Sequence, residues 1–203
     1  GIAMNVGGVL LLSFIGSLAQ SAAAQAAYAV SYTELFSLVT WTSQGLLGAA
    51  TVIAGQNLGA GRPDRTVQGV HVAARFGIAG AAFIGLCFWF LPTQLLAIFG
   101  MHDPVVVGIG VGLLRVLSVS GLFISVALTY TGGLQGTGDT KSPLYISILS
   151  QLIIPLGACF VMSRTGTLQP LTIWLAILAG HVTRCLSTVI RFNQGQWKAI
   201  AVT

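Results

Sequence analysis

Long apolar runs, separated by short polar or charged turns, restrict the fold of this sequence more than any other feature. A helix needs about 20 apolar residues to cross the ~30 Å hydrocarbon core of a bilayer. The sequence therefore predicts an all-α fold: a polytopic membrane protein in which residues 1–203 form a single six-helix transmembrane bundle. The predicted crossings are residues 5–18, 34–56, 67–91, 115–134, 143–162 and 171–191.

The charge content also indicates a lipid environment. Only 6% of the residues are charged and 55% are hydrophobic, whereas a soluble domain has about 25% charged residues. The basic residues lie singly beside apolar runs, so the net charge of +5 indicates membrane orientation and not binding to nucleic acid. The sequence contains no serine–histidine–acid grouping, no metal-ligand spacing and no phosphate loop, so we expect neither an enzyme nor a bound cofactor.

The distribution of lysine and arginine predicts how the helices are oriented. Arg62 and Arg65 follow the second crossing and Lys141 follows the fourth. Arg191 ends the sixth crossing and Lys198 follows it, so all five lie on one face of the membrane. By the positive-inside tendency this face is cytoplasmic. We therefore expect the C-terminus in the cytoplasm.

Two of the apolar runs end in the same kind of turn. Residues 56–62 and residues 135–141 each begin with a glutamine, continue with two glycines one residue apart, and end in charge. Glycine adopts left-handed conformations at low cost, so we expect it to end the helix and turn the chain, while the glutamine bonds the freed carbonyls. Asp139 is expected to pair with a base or to cap the next helix. The candidate hinge or turn residues are Gln56, Gly59, Gly61, Arg62, Gln135, Gly136, Gly138 and Asp139.

Small and polar residues interrupt three of the predicted crossings. One interpretation is that they form hydrogen bonds between helices, worth about 0.6 kcal/mol each. The other is that they line a hydrated cavity, and both interpretations remain open for single residues. Pro155 is expected to bend the fifth crossing, because it removes a backbone donor. The candidate cavity-lining residues are Thr40, Gln44, Ser125, Thr129, Ser147 and Gln151.

Four charged or titratable residues need separate expectations. Glu34 lies about 33 Å along a helix from Gln56, and Arg115 opens the fourth crossing. Both are therefore candidate outer-interface or gate residues. The alternative for Glu34 is ion coupling. Residues 104–114 are placed along that interface or as an extension beyond it, and their glycines favour a bent connection. His181 and Arg184 are expected to anchor lipid headgroups, with pH sensing as the alternative.

The turn at residues 56–62 resembles the Gln-x-x-Gly-Ala-Gly-Arg stop of the multidrug and toxic compound extrusion (MATE) transporters. Further landmarks of that family occur in the same order along nearly the whole chain, and their joint spacing is more specific than any one of them. They are Ala26-Ala27-Tyr28, Pro92 with Ile98-Phe99, Arg115, and Gly133 to Thr140 followed by Pro143.

The resemblance implies a transporter of two six-helix lobes, of which this chain is one. The C-terminal tail favours the C-terminal lobe, with the partner lobe expected before residue 1. The resemblance also implies a secondary antiporter in a bacterial inner (plasma) membrane. Such an antiporter exports amphipathic or cationic drugs and toxic compounds by alternating access, driven by a Na⁺ or H⁺ gradient. Its expected partners are these small molecules, membrane lipids and the other lobe.

The pattern of acidic residues departs from the family. Some members carry cation-binding acids in their seventh and tenth helices, but the first and fourth crossings here contain none, so no site for the coupling ion can be assigned in this chain. Two alternatives remain. A lipid-linked oligosaccharide flippase of the same superfamily would need a more cationic central cavity, whereas the basic residues here are expected near the ends of crossings. A non-transporting membrane assembly subunit would need no cavity, so its polar faces would pack dry.

Overall fold

The computed structural model describes residues 2–200, so Gly1 and residues 201–203 of the predicted domain lie outside the described residues. Within that range the chain is helical, and no strand is formed. The helices are α1 (Ile2–Gly16), α2 (Ser21–Gly59), α3 (Pro63–Phe90), α4 (Pro92–Ile98), α5 (Pro104–Gly136), α6 (Lys141–Thr165), α7 (Pro170–Asn193) and α8 (Trp197–Ile200).

Five of the helices in the described range, α2, α3, α5, α6 and α7, are long and apolar enough to cross a membrane. The predicted first crossing corresponds to α1, which is apolar but only 15 residues long. Proline occupies the first turn of α3, α4, α5 and α7, where its missing N–H would have no helical partner in any case. The all-α fold class is thus confirmed.

Two predicted boundaries are wrong. The helix that contains residues 34–56 begins earlier, at Ser21. Residues 104–114 form no bent connection but the first third of the continuous helix α5. The reason is local packing: a Cβ on Gly110 would lie 2.8 Å from Leu96 of α4 and 3.5 Å from the Ser31 hydroxyl of α2. Gly110 therefore allows a close contact between straight helices and causes no bend.

Helix α5 lies at the centre of the bundle and packs against α2, α3 and α7. Glycines bring α2 and α5 together so closely that a side chain on Gly132 would collide with the Leu47 carbonyl, and one on Gly136 with the Thr51 carbonyl. Small residues are the usual means of such approach between membrane helices. Helix α6 instead packs against α7 and α1, with Gly180 against the Ser150 carbonyl, and has few contacts with α5. The separation between α5 and α6 leaves a cavity.

Candidate functional site

A cavity of about 620 Å³ lies between α2, α5, α6 and α7. A drug-sized ligand site typically measures 300–1,000 Å³, so this volume suits a small organic molecule. The cavity reaches from Tyr32 on α2 to Lys141 at the start of α6. On α5 its wall is formed by Ile124, Leu128 and Thr131, with Gln135 at the end where the helix turns.

The α2 wall is a column of residues four apart: Tyr32, Phe36, Thr40 and Gln44. Residues spaced by four drift around an α-helix by about 40° at each step, because a turn holds 3.6 residues. Here Ala29–Leu35 is a π-helix, and the Phe36 N–H donates to the Ser31 carbonyl five residues back at 2.9 Å. The wider turn reduces this drift. The ring centres of Tyr32 and Phe36 are accordingly 5.5 Å apart.

A second π-helix, Leu149–Ile153, lies across the cavity in α6. It carries Gln151, which lines the cavity together with Ser147 one turn earlier. Pro155 follows at once and has no N–H, so the Gln151 carbonyl cannot form the usual α-helical bond. The structure thus has a widened turn just before Pro155, while the bend expected there stays a prediction. π-Helical turns are rare and often occur at functional sites.

A smaller cavity of about 220 Å³ adjoins the first, since Tyr32, Gln151 and His181 line both. Its far wall is α1, where Gly7 and Gly8 leave room. Both π-helical segments therefore border both cavities, through Tyr32 in α2 and Gln151 in α6.

Arg184 and His181 on α7 complete the wall of the larger cavity. Their exposed fractions are 6% and 5%, so neither anchors lipid headgroups as the sequence suggested. Arg184 lies nine residues inside α7, about 13 Å from its end at Asn193. The Arg184 Nε and the His181 Nδ1 are buried without a hydrogen-bond partner among the described residues. No aspartate or glutamate lines the cavity in that part of the chain.

The structure brings four of the six candidate cavity residues to this wall: Thr40, Gln44, Ser147 and Gln151. It does not bring Ser125 and Thr129 there. The Thr129 hydroxyl donates to the Ser125 carbonyl at 2.9 Å within α5. The Ser125 hydroxyl would lie 2.6 Å from a Cβ on Gly77, so this face packs against α3. Ser125 borders only a void of about 20 Å³, which is too small for an organic ligand.

Both glycine turns are closed by the same pattern of backbone hydrogen bonds. After α2, Gly61 donates to Leu58 at 2.9 Å and Arg62 to Asn57 at 2.8 Å. After α5, Gly138 donates to Gln135 at 3.1 Å and Asp139 to Leu134 at 3.0 Å. This is the Schellman pattern, which needs a left-handed residue. Gly61 and Gly138 supply it, with φ of +70° and +90°.

The first glycine of each pair has a different role. Gly59 and Gly136 are helical, and nothing lies within 4 Å of a Cβ placed on Gly59. Gly136 instead lies against α2, as described above. The glutamines do not act as expected, because neither the Gln56 nor the Gln135 side chain donates a hydrogen bond to a carbonyl in the described chain.

Asp139 joins the second turn to the ends of two helices. Its carboxylate accepts from the Ser142 amide at 3.1 Å and hydroxyl at 2.8 Å, and from the Arg191 Nε at 2.9 Å. Burial alone would raise the pKa of this carboxyl, but the hydrogen bonds from Ser142 and the charge of Arg191 outweigh burial and hold the pKa below its usual value. Asp139 therefore caps α6 and also pairs with a base, which is Arg191 and not Lys141.

Comparison with known proteins decides the family. A family model described as MatE matches residues 1–161. The chain belongs to the MatE family. It is 25% identical over 158 residues to the probable multidrug resistance protein NorM of Thermotoga maritima, covering 78% of this chain and 34% of that protein. It is also 25% identical over 195 residues to the probable multidrug resistance protein NorM of Acinetobacter baylyi, covering 94% of this chain and 41% of that protein.

The fold of the MatE chain also matches a solved structure. It superposes on the crystal structure of the eukaryotic MATE transporter AtDTX14 with a TM-score of 0.83 and 17% identity, covering 96% of this chain and 43% of that one. The chain thus spans less than half the length of each of these proteins. Family membership and the apolar helices together make the MatE chain an integral membrane protein.

The two candidate gate residues of the MatE chain lie apart from the cavity. Glu34 is exposed within the first π-helix, and Arg115 is exposed on α5 with its guanidinium 5.6 Å from the Trp89 ring centre. They form no ion pair with each other; among the described residues the ion pair is that of Asp139 with Arg191. Glu34 does not mark the end of its helix, because α2 begins at Ser21.

Tyr32, Phe36, His181 and Arg184 are cavity residues that the sequence interpretation missed. A signal for the last two was present. The buried residues of α7 follow helical spacing through Ile173, Trp174, Ile177, His181, Arg184 and Thr188, so both lie on its inward stripe.

Proposed function

We propose that this MatE chain forms one lobe of a secondary exporter, which moves amphipathic compounds across the plasma membrane by alternating access. The observation that carries the proposal is the 620 Å³ cavity between four helices. Its wall combines aromatic rings with a few hydroxyl and amide groups. That combination is typical of sites for small amphipathic ligands.

The names of the relatives support the choice of substrate class, because both NorM proteins are described as probable multidrug resistance proteins. Since the chain spans 34% and 41% of their lengths, we propose that a second lobe supplies the other wall of the transport pathway. Coupling to a Na⁺ or H⁺ gradient would then depend on acids of that lobe. The proposal follows from the lack of aspartate and glutamate in the described cavity wall.

The proposed orientation places the two glycine turns, and therefore Lys141 and Arg191, on the cytoplasmic side. Lys141 lies at one end of the cavity. A substrate would enter the cavity from this side and leave after the lobes rock to open the opposite side.

One observation favours a second candidate function. A flippase for lipid-linked oligosaccharides was expected to need a cationic cavity, and the buried Arg184 gives this cavity such a group. Arginine binds phosphate through two parallel hydrogen bonds. The aromatic and aliphatic remainder of the wall favours the exporter, because such a surface suits a drug-sized amphipathic body.

The test is transport by the full-length protein in proteoliposomes with an imposed H⁺ or Na⁺ gradient. Rhodamine B, a zwitterionic amphipathic dye, serves as the exported probe. Ser147→Trp should fill the cavity and reduce gradient-driven export by about tenfold or more. Ser163→Trp is the matched control, because Ser163 is exposed near the end of α6 and does not line the cavity. If both variants export rhodamine B like the wild type, or if export needs no gradient, the proposal is wrong.

A further inference from the structure

The cavity contains a cation for which the described chain provides no partner. Arg184 is 6% exposed, and its guanidinium forms neither a hydrogen bond nor an ion pair with any described residue. The other formal charge on the cavity wall is that of Lys141, which is exposed at the end of the cavity and has the same sign. Buried charges are normally paired, because burial removes their hydration. The wall of this lobe therefore attracts an anion.

His181 gives Arg184 a neighbour suited to the same ligand. The two residues are three apart on α7, which places them on one face. The His181 ring stacks on Phe36 with 5.8 Å between the ring centres, so its orientation is restrained. Its Nδ1 is buried without a partner in the described chain. A ligand oxyanion can thus meet the arginine fork and, in the appropriate tautomer, an imidazole N–H.

The remainder of the wall determines what can be attached to the oxyanion. Tyr32 and Phe36 present aromatic rings on α2, and Ile124 and Leu128 present aliphatic chains on α5. An apolar or aromatic ligand body can pack against these side chains while its charged end reaches α7. The volume of about 620 Å³ accommodates a body of drug size.

We propose that Arg184, assisted by His181, binds the oxyanion of an amphipathic ligand, either a carboxylate or a phosphate, whose apolar part lies along the Tyr32–Phe36 wall. The cavity of this lobe then selects anionic or zwitterionic amphiphiles, beyond the cationic class that multidrug export alone implies. The inference rests on the proposed function for its physiological setting. It is nevertheless a statement about binding and can be tested without transport.

The experiment measures binding to the purified full-length protein in detergent, by equilibrium dialysis. The first probe pair is naproxen, an aromatic carboxylate, and its neutral amide. Wild-type protein should bind naproxen at least about tenfold more tightly than the amide, because a bond to a charged group is stronger than a neutral one. Arg184→Gln should remove this preference and leave affinity for the amide unchanged. Arg184→Lys, which retains charge without the fork, should give an intermediate preference.

A second arm identifies the source of the oxyanion. Dihexanoyl phosphatidate is added as a competitor, with dihexanoylglycerol, which lacks the phosphate, as control. Displacement of naproxen by phosphatidate alone assigns the site to lipid phosphate as well as to free carboxylates. No displacement by either lipid assigns it to free carboxylates.

Arg164→Gln is the control for general loss of positive charge, since Arg164 is exposed in the last turn of α6 and does not line the cavity. It should bind both probes like the wild type. If the wild type does not prefer naproxen to its amide, the inference is wrong. It is also wrong if Arg184→Gln weakens both probes equally, which would indicate that Arg184 pairs within the protein. Failed rhodamine B export with intact naproxen selectivity would instead refute only the exporter.

Discussion

The two glycine pairs at the ends of α2 and α5 allow a sharp test, because similar sequences have different physical roles there. Gly61 has φ of +70°, a conformation that costs an L-residue about 1–2 kcal/mol. Gly61→Ala should therefore lower the free energy of unfolding by about that amount. Gly59 is helical with open space around it. Gly59→Ala should leave stability unchanged or raise it by about 0.5–1 kcal/mol.

Gly136 is also helical, but a Cβ there would collide with the Thr51 carbonyl and lie 2.9 Å from the Ala54 Cβ. Backbone atoms cannot rotate away, so α2 and α5 would have to separate. Overpacking of this kind costs typically ~1–3 kcal/mol, and we expect Gly136→Ala to lie at the upper end. Asparagine distinguishes the two mechanisms because it tolerates left-handed geometry. Gly61→Asn should cost less than Gly61→Ala, whereas Gly136→Asn should cost more than Gly136→Ala.

Free energies of unfolding can be measured on the full-length protein by titrating mixed micelles with dodecyl sulfate and following helix content by circular dichroism. The reasoning is refuted if Gly59→Ala and Gly61→Ala have equal effects, or if Gly136→Ala is neutral. Asparagine that costs more than alanine at Gly61 would also contradict the left-handed turn.

Two further predictions concern the Asp139 contact and the cavity wall. Because the pKa of Asp139 is depressed in the fold, its stabilisation is present above the unfolded pKa of about 3.9 and is lost as pH falls through the lower folded pKa. Asp139→Asn should thus lower the free energy of unfolding by about 1.5–3 kcal/mol at neutral pH. In the same unfolding titration, the difference between variant and wild type should shrink below pH ~4. A difference that does not change with pH would exclude the charged contact with Arg191. In a background without native cysteines, Ser147→Cys should react with a water-soluble methanethiosulfonate reagent at least about tenfold faster than Ser125→Cys. Equal labelling rates would place both serines in the same environment.

The positions of the long helices could be predicted because crossing a bilayer requires a length of apolar sequence that is visible locally. Helix α7 was predicted as residues 171–191 and is Pro170–Asn193. The first part of α2 was missed because residues 21–28 are alanine-rich with a glutamine, so they lack the hydropathy of a crossing. Their helix is stabilised by tertiary contacts, including stacking of Tyr28 with Trp174 of α7, whose ring centres are 5.8 Å apart.

The cavity was only half predictable for a related reason. Polar residues in a crossing are recognisable, but which neighbour they face depends on how all the helices assemble. Thr129 and Ser147 looked equivalent, yet Thr129 is buried beside α3 and Ser147 faces the opening left by α6. Arg184 was assigned to the membrane surface because lysine and arginine are usually placed there. Its position on the inward stripe of α7, which follows helical spacing in the sequence, was a contrary signal.

The π-helical turns affect how the wall of this cavity can evolve. Each widened turn contains an extra residue, so the helix after it is rotated by a fraction of a turn relative to the helix before it. Single substitutions seldom produce such a rotation. The column of Tyr32 and Phe36 depends on that shift in α2, and the placement of Gln151 depends on it in α6. Insertion or deletion of one residue near either segment would therefore exchange a whole set of wall side chains at once. Substitutions can only adjust the set that is already there.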